Sequence, residues 1–124
     1  MRVGDILKRQ NRALNGSKIL IVGVTYKKDV KDLRKAPPLK LIEILQDKKC
    51  FVDYHDPIIP YLKVGNIHLQ SVPLTKANLP QYDVVLIATD HTKVDYKLIL
   101  KHARSIYDIR NVYAGVRNRK INLF

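Results

Sequence analysis

KILIVGVTYKKDVKDLRKAPP, residues Lys18 to Pro38, reads as strand, loop and helix in that order. The apolar run from Ile19 to Val24 stops abruptly at a polar loop. That loop holds five of the 23 basic residues: Lys27, Lys28, Lys31, Arg34 and Lys35. A helical pattern then opens at the proline pair Pro37-Pro38. An unbroken aliphatic run suits a strand buried on both faces of a parallel sheet. Proline suits the first helical turn, where its missing N–H costs no intrahelical bond. Ligands of open α/β sheets bind beyond the carboxyl ends of the strands. A cationic loop at that place suits a phosphate-bearing partner.

Reading outward, the spacing predicts a helix to Lys49 and a second strand, Phe51 to His55, closed by Asp56-Pro57. The stretch Ile58 to Pro80 is harder to read. IHLQSV (67–72) suits a short strand, and LTKANL (74–79) a helical turn capped by Thr75. YDVVLIAT, Tyr82 to Thr89, reads as a central strand. A helix over Val94 to Ala103 exposes Lys97, Lys101 and, just beyond it, Arg104; Ser105 to Arg110 is the last strand. Upstream, Val3, Ile6, Leu7 and Leu14 share one helical face, and Asn15-Gly16 is a good helix stop. No capping residue precedes Val3, so residues 1–16 read as the end of a longer helix. Residues 17–113 form the expected domain, and 114–124 a tail without clear period. The alternation β, α, β, uncertain, β, α, β predicts an α/β domain. Its layers are three, Rossmann-like, with a mostly parallel sheet.

The chain has 124 residues, 46% of them hydrophobic and 27% charged, which suits one soluble domain with a real core. The single Cys50 excludes an internal disulfide and fits a reducing compartment. No apolar run approaches the roughly 20 residues that cross a bilayer, and the first ten residues lack a secretory core. The expected location is the cytoplasm, away from membranes. A net charge of +12 leaves three partners open: nucleic acid, an anionic small ligand or an acidic neighbouring domain. Solvated lysine faces explain much of it equally well.

In a parallel sheet the polar residues that follow strands share one edge. That edge gathers Tyr26, Lys27, Asp90, His91 and Arg110. Tyr26 beside Lys27 and Lys28 suits either an aromatic contact to a ligand or packing against a helix end. A ligand role for His91 competes with a structural one. The dinucleotide fingerprint G-x-G-x-x-G is missing, since GVTYKKD has Gly23 alone. Asp56 ends the second strand, where a ribose-binding acid often sits; without the glycines it is expected to serve its turn. Four histidines and one cysteine have no zinc-site spacing, so no metal is expected. Cys50 reads as a packing residue, and no catalytic nucleophile is evident.

These residues carry a resemblance. GVTYKKDVKDLRKAP (Gly23 to Pro37) is similar to the G-V-A-Y-K-K-D-x-x-D-x-R-x-S-P motif of the UDP-glucose/GDP-mannose dehydrogenase family. VDYHDP (52–57), YDVVLIATDHTKVDY (82–96) and DIRN (108–111) match further motifs in family order. The resemblance spans residues 16–111 and concerns the C-terminal UDP-binding domain. It is strongest toward UDP-N-acetylhexosamine 6-dehydrogenases.

The resemblance implies an NAD-dependent oxidation of a UDP-sugar C6 alcohol to the uronate. Tyr26, Lys27 and Arg110 are implied on the substrate side, and Arg34 at the NAD. NAD itself is implied to sit mainly on an N-terminal domain. That domain and the catalytic cysteine have no counterpart in these residues, so the chain reads as an inactive fragment of an enzyme that is a homodimer or higher oligomer. Ala36 stands where the motif has serine. Two rivals stay open: a free-standing nucleotide-binding or regulatory module, and, ranked last, a basic nucleic-acid-binding protein.

Overall fold

The computed structural model describes residues 16–123; the helix expected over Val3 to Leu14 lies outside them. Five strands form one parallel sheet in the order β2-β1-β5-β6-β7. They are β1 (Lys18–Val22), β2 (Phe51–His55), β5 (Val84–Ile87), β6 (Ile106–Asp108) and β7 (Ile121–Leu123). β1 pairs with β2 on one side and β5 on the other. The chain therefore winds both ways from β1, and the strand order reverses there.

Alternate side chains of β1 and β5 enter opposite layers. Ile19, Ile21, Val84 and Leu86 pack toward helix α1 (Pro37–Asp47), which buries Leu39, Ile42 and Leu45. Leu20, Val22, Val85 and Ile87 join a second core with Ile99 of helix α2 (Tyr96–His102), Leu79 and Tyr113. This is the three-layer arrangement expected from the continuous aliphatic runs.

Most elements fall where the periodicity puts them but are shorter at their ends. β1 stops at Val22 because Gly23 turns at φ +84. α1 stops at Asp47 in a Schellman cap. Lys49 takes φ +65 and donates to the Gln46 carbonyl, and Cys50 donates to the Leu45 carbonyl. Cys50 and Leu45 share the core, so Cys50 is a packing residue whose burial pushes its thiol pKa up. Thr75 does cap its turn: its hydroxyl accepts from the Asn78 amide, and the Asn78 side chain accepts from Thr75 N–H. α2 is capped by Asp95, which accepts from the Leu98 amide.

The stretch 67–72 read as a short strand holds one, but its hairpin partner and the last strand of the sheet were not legible. Strand β3 (Tyr61–Val64) pairs antiparallel with β4 (Ile67–Gln70) across a two-residue turn. Gly65 takes φ +56 there, as primed hairpin turns require. The segment read as a tail without period supplies β7, which pairs parallel with β6.

Four buried or half-buried tyrosines lock the layers. Tyr54 donates to the Ile59 carbonyl, Tyr82 to Asp53, Tyr96 to the His91 carbonyl and Tyr113 to the Tyr96 carbonyl. Burial pushes the Tyr54 hydroxyl up to about 12 and raises the other three as well. The folded state thus favours neutral phenols, while unfolded phenols ionise near pH ~10. Their contribution is complete below pH ~10 and falls as pH rises beyond it. Alkaline titration should therefore show the tyrosinate absorbance of these four, after that of the exposed Tyr26 and Tyr61, rising together with loss of the circular-dichroism signal. Ionisation of all the tyrosines with the fold intact would contradict this packing.

Candidate functional site

Beyond the carboxyl end of β1 the chain forms a closed loop. Gly23 N–H donates to the His55 carbonyl and Val24 N–H to the Asp56 carboxylate, so the chain leaves the sheet tied to the end of β2. Tyr26 N–H donates to the Asp32 carbonyl, closing the loop at its neck. Inside it Val30 N–H donates to the Lys27 carbonyl. Asp29 and Lys35 both take left-handed backbone conformations, φ +60 and +51.

An open cleft of about 540 Å³ lies against this loop, lined by Tyr26, Lys27, Val30, Asp32, Arg34 and Lys35. Its size suits a nucleotide-sized ligand. Tyr26 is 45% exposed and lines the cleft, so it is not packed away against a helix end. A second cleft of about 530 Å³ lies beside the start of α1 and shares Arg34 and Lys35. Residues 27–35 carry five cations against two carboxylates. Arg34 grips Asp32, at 3.1 Å from Nε, and holds the Asp32 carboxyl below its usual range. Hydrogen bonds from Thr92 do the same for Asp29. The lysines keep the loop positive.

The structure brings Tyr26, Lys27 and Arg34 to one cleft. Arg110 lies on the same carboxyl edge but is not among the residues lining that cleft. Its Nε donates to the Ala88 carbonyl at 2.9 Å, and the turn carrying it is held by Asp108, which accepts from the amides of Val112 and Tyr113. From Ala88 the link back to the loop is short, since the Thr89 hydroxyl donates to the Thr25 carbonyl.

His91 differs from its expected place on the open edge. Its side chain is 1% exposed and turns inward. Nε2 lies 2.9 Å from Asp56 Oδ2 and 3.1 Å from Thr25 Oγ1, and Nδ1 accepts from Asp29 N–H at 2.9 Å. Asp56 is equally buried. Besides Val24 and His91 it accepts from Ile58 N–H, so it serves its turn and two further loops. Only the sheet order could have revealed this pairing: β2 and β5 both flank β1, so their end loops meet behind the β1 loop.

The turn after β1 does not fit a dinucleotide pyrophosphate. Its one glycine, Gly23, makes room for the chain itself, because a Cβ there would lie 2.3 Å from the Thr89 carbonyl oxygen. No backbone face is left for a phosphate at that point. Among the described residues no three His, Cys, Asp or Glu side chains converge as metal ligands do. Among them, too, no helix is long and apolar enough to cross a membrane.

Residues 20–115 match the family model for the UDP-glucose/GDP-mannose dehydrogenase family, UDP binding domain. The chain belongs to this family. The UDP-glucose 6-dehydrogenase of Rickettsia conorii is 29% identical over 116 residues, covering 87% of this chain and 27% of that protein. The UDP-N-acetyl-D-glucosamine 6-dehydrogenase of Salmonella typhi is 25% identical over 105 residues, covering 80% of this chain and 24% of its own length. The chain thus spans about a quarter of the length of these relatives. In fold it is similar to the UDP-D-ManNAc dehydrogenase of Pyrococcus horikoshii, with a TM-score of 0.72 at 24% identity over 96% of this chain and 28% of that one. The expected family and the α/β, mostly parallel fold are both borne out.

Proposed function

We propose that the cleft at the carboxyl edge of β1 binds the diphosphate of a UDP-sugar. In this reading the chain serves an NAD-dependent oxidation of the sugar C6 alcohol to the uronate. NAD and the cysteine nucleophile would come from a part of the enzyme not contained in these 124 residues. Tyr26 lies against the nucleotide and Lys27 gives the diphosphate a charged donor. Arg110, anchored on Ala88, serves the sugar side. Arg34 serves a cofactor held outside the domain, a role supported by its 90% exposed side chain at the border of the two clefts. A UDP-N-acetylhexosamine is the favoured substrate, on motif similarity. The working enzyme is a homodimer or larger, in the cytoplasm.

One observation carries this reading. The closed, lysine-rich loop of a family member lines a nucleotide-sized cleft where a parallel sheet reverses its strand order.

Calorimetric titration of the chain with UDP tests it. Binding is expected to be weak, and Lys27→Ala should weaken it about tenfold or more, since hydrogen bonds to charged groups contribute roughly 1.5–3 kcal/mol. Lys27 is exposed, so the fold should survive the change. Unchanged affinity in the variant removes Lys27 from the site. Binding that falls steeply with salt and is equal for RNA would favour a basic nucleic-acid-binding protein instead.

A further inference from the structure

We propose that His91 is the positioning residue of the nucleotide loop, holding residues 25–29 from beneath in the shape that presents Tyr26 and Lys27 to the cleft. This rests on the reading of the site given above.

The hydrogen bonds fix the imidazole's state. A backbone N–H can only donate, so the bond from Asp29 N–H to Nδ1 requires an Nδ1 without a proton. The ring proton therefore sits on Nε2. There it is shared between Asp56 Oδ2 at 2.9 Å and Thr25 Oγ1 at 3.1 Å. The Thr25 hydroxyl proton goes on to the Lys27 carbonyl at 2.8 Å. Each polar atom thus has one direction available, and the directions agree.

The two ends of this relay bracket the binding residues. Thr25 lies directly before Tyr26-Lys27-Lys28 and Asp29 directly after. Asp29 sits at φ +60, a conformation that side-chain-bearing residues adopt at a cost. It is held by His91 beneath its amide and by Thr92, which donates to its carboxylate from both N–H and hydroxyl. His91 is itself fixed by Asp56 and by Tyr96, whose hydroxyl donates to the His91 carbonyl. The loop is exposed above and pinned from a buried point below. A lysine on such a loop meets an anion with less ordering left to be done on binding.

Two substitutions divide the histidine. His91→Gln offers an amide N–H near Nε2, so it keeps the donor to Asp56 and Thr25 but loses the acceptor for Asp29. His91→Asn offers an oxygen near Nδ1, so it keeps the Asp29 bond and deprives Asp56. Amide exchange by NMR and UDP titration are the readouts. In His91→Gln the Asp29 amide should exchange at least tenfold faster and UDP should bind about tenfold more weakly, with a melting temperature near that of the parent. In His91→Asn the melting temperature should fall further, while UDP affinity measured below it stays within about threefold of the parent. A merely structural histidine predicts the reverse order, with affinity following stability in both variants, and that result overturns the proposal.

Should neither variant fold, the parent decides. Its His91 must carry the proton on Nε2 in nitrogen-15 spectra, and Thr92→Val, an exposed change, must speed Asp29 exchange. An Nδ1-protonated ring overturns the clamp. If the parent leaves UDP unbound, the nucleotide reading fails, while the Asp29 amide still decides the clamp separately.

Discussion

A Gly23→Ala chain should lose about 3–5 kcal/mol of stability, a large share of the roughly 5–15 kcal/mol that holds a domain folded. Two effects add. Gly23 sits at φ +84, where a side chain costs about 1–2 kcal/mol. The new Cβ would also lie 2.3 Å from the Thr89 carbonyl oxygen and 2.6 Å from its Cβ. Thr89 cannot step aside cheaply. Its N–H and that of Ala88 both donate to the Val22 carbonyl, and its hydroxyl holds Thr25. Relief therefore means parting β1 from β5 at the edge where the cleft is built. Gly115→Ala is the matched control, at φ +80 with nothing within 4 Å of the added carbon. It carries the backbone cost alone, the same ~1–2 kcal/mol. Urea denaturation of the two variants separates the terms. Equal midpoints would mean that β1 and β5 do not approach as described.

What the sequence made legible follows from range. The run Ile19 to Val24 and the run through Val84 to Ile87 announce doubly buried strands because burial on both faces leaves no room for polar alternation. The proline pair announces the start of α1, since the reason for proline there is local. The cationic loop was readable because its charge lies in nine consecutive residues. The hairpin was harder, because its strands are four residues each and present only Leu62 and Ile67 as fully buried members. β7 is three residues long, and its place is set by pairing with β6, which no window of the tail contains. Arg110 was correctly put on the carboxyl edge, yet its distance from the Lys27 cleft depends on the turn that Asp108 folds. The buried pair Asp56 and His91, 35 residues apart, was least legible. Each looks like a polar strand-end residue facing water until the sheet order puts their loops back to back.

That pair supports the second large effect. Asp56→Ala should cost about 3–5 kcal/mol, and Asp56→Asn roughly half as much. Three N–H donors converge on this carboxylate from three loops: Val24 and His91 on Oδ2 and Ile58 on Oδ1, each at 2.9 Å. The side chain is wholly buried, so water cannot replace it. Alanine leaves the Val24 and Ile58 amides unmet and the His91 Nε2 proton with Thr25 Oγ1 alone at 3.1 Å. Asparagine can turn its oxygen toward Val24 and His91, but its NH₂ group then faces Ile58 N–H, donor against donor. The opposite rotamer is worse, because it opposes two donors and His91 cannot trade tautomers while Nδ1 accepts from Asp29. Asp32→Asn, on an exposed pair with Arg34, should leave the denaturation midpoint in place. A ligand-facing acid would show another pattern: unchanged stability in Asp56→Asn with altered nucleotide affinity. An acid at the end of the second strand can face a ribose only if the first turn leaves it exposed. Here the turn closes over Asp56 through Val24, and the acid expected to serve its own turn does so while also holding the nucleotide loop to the sheet.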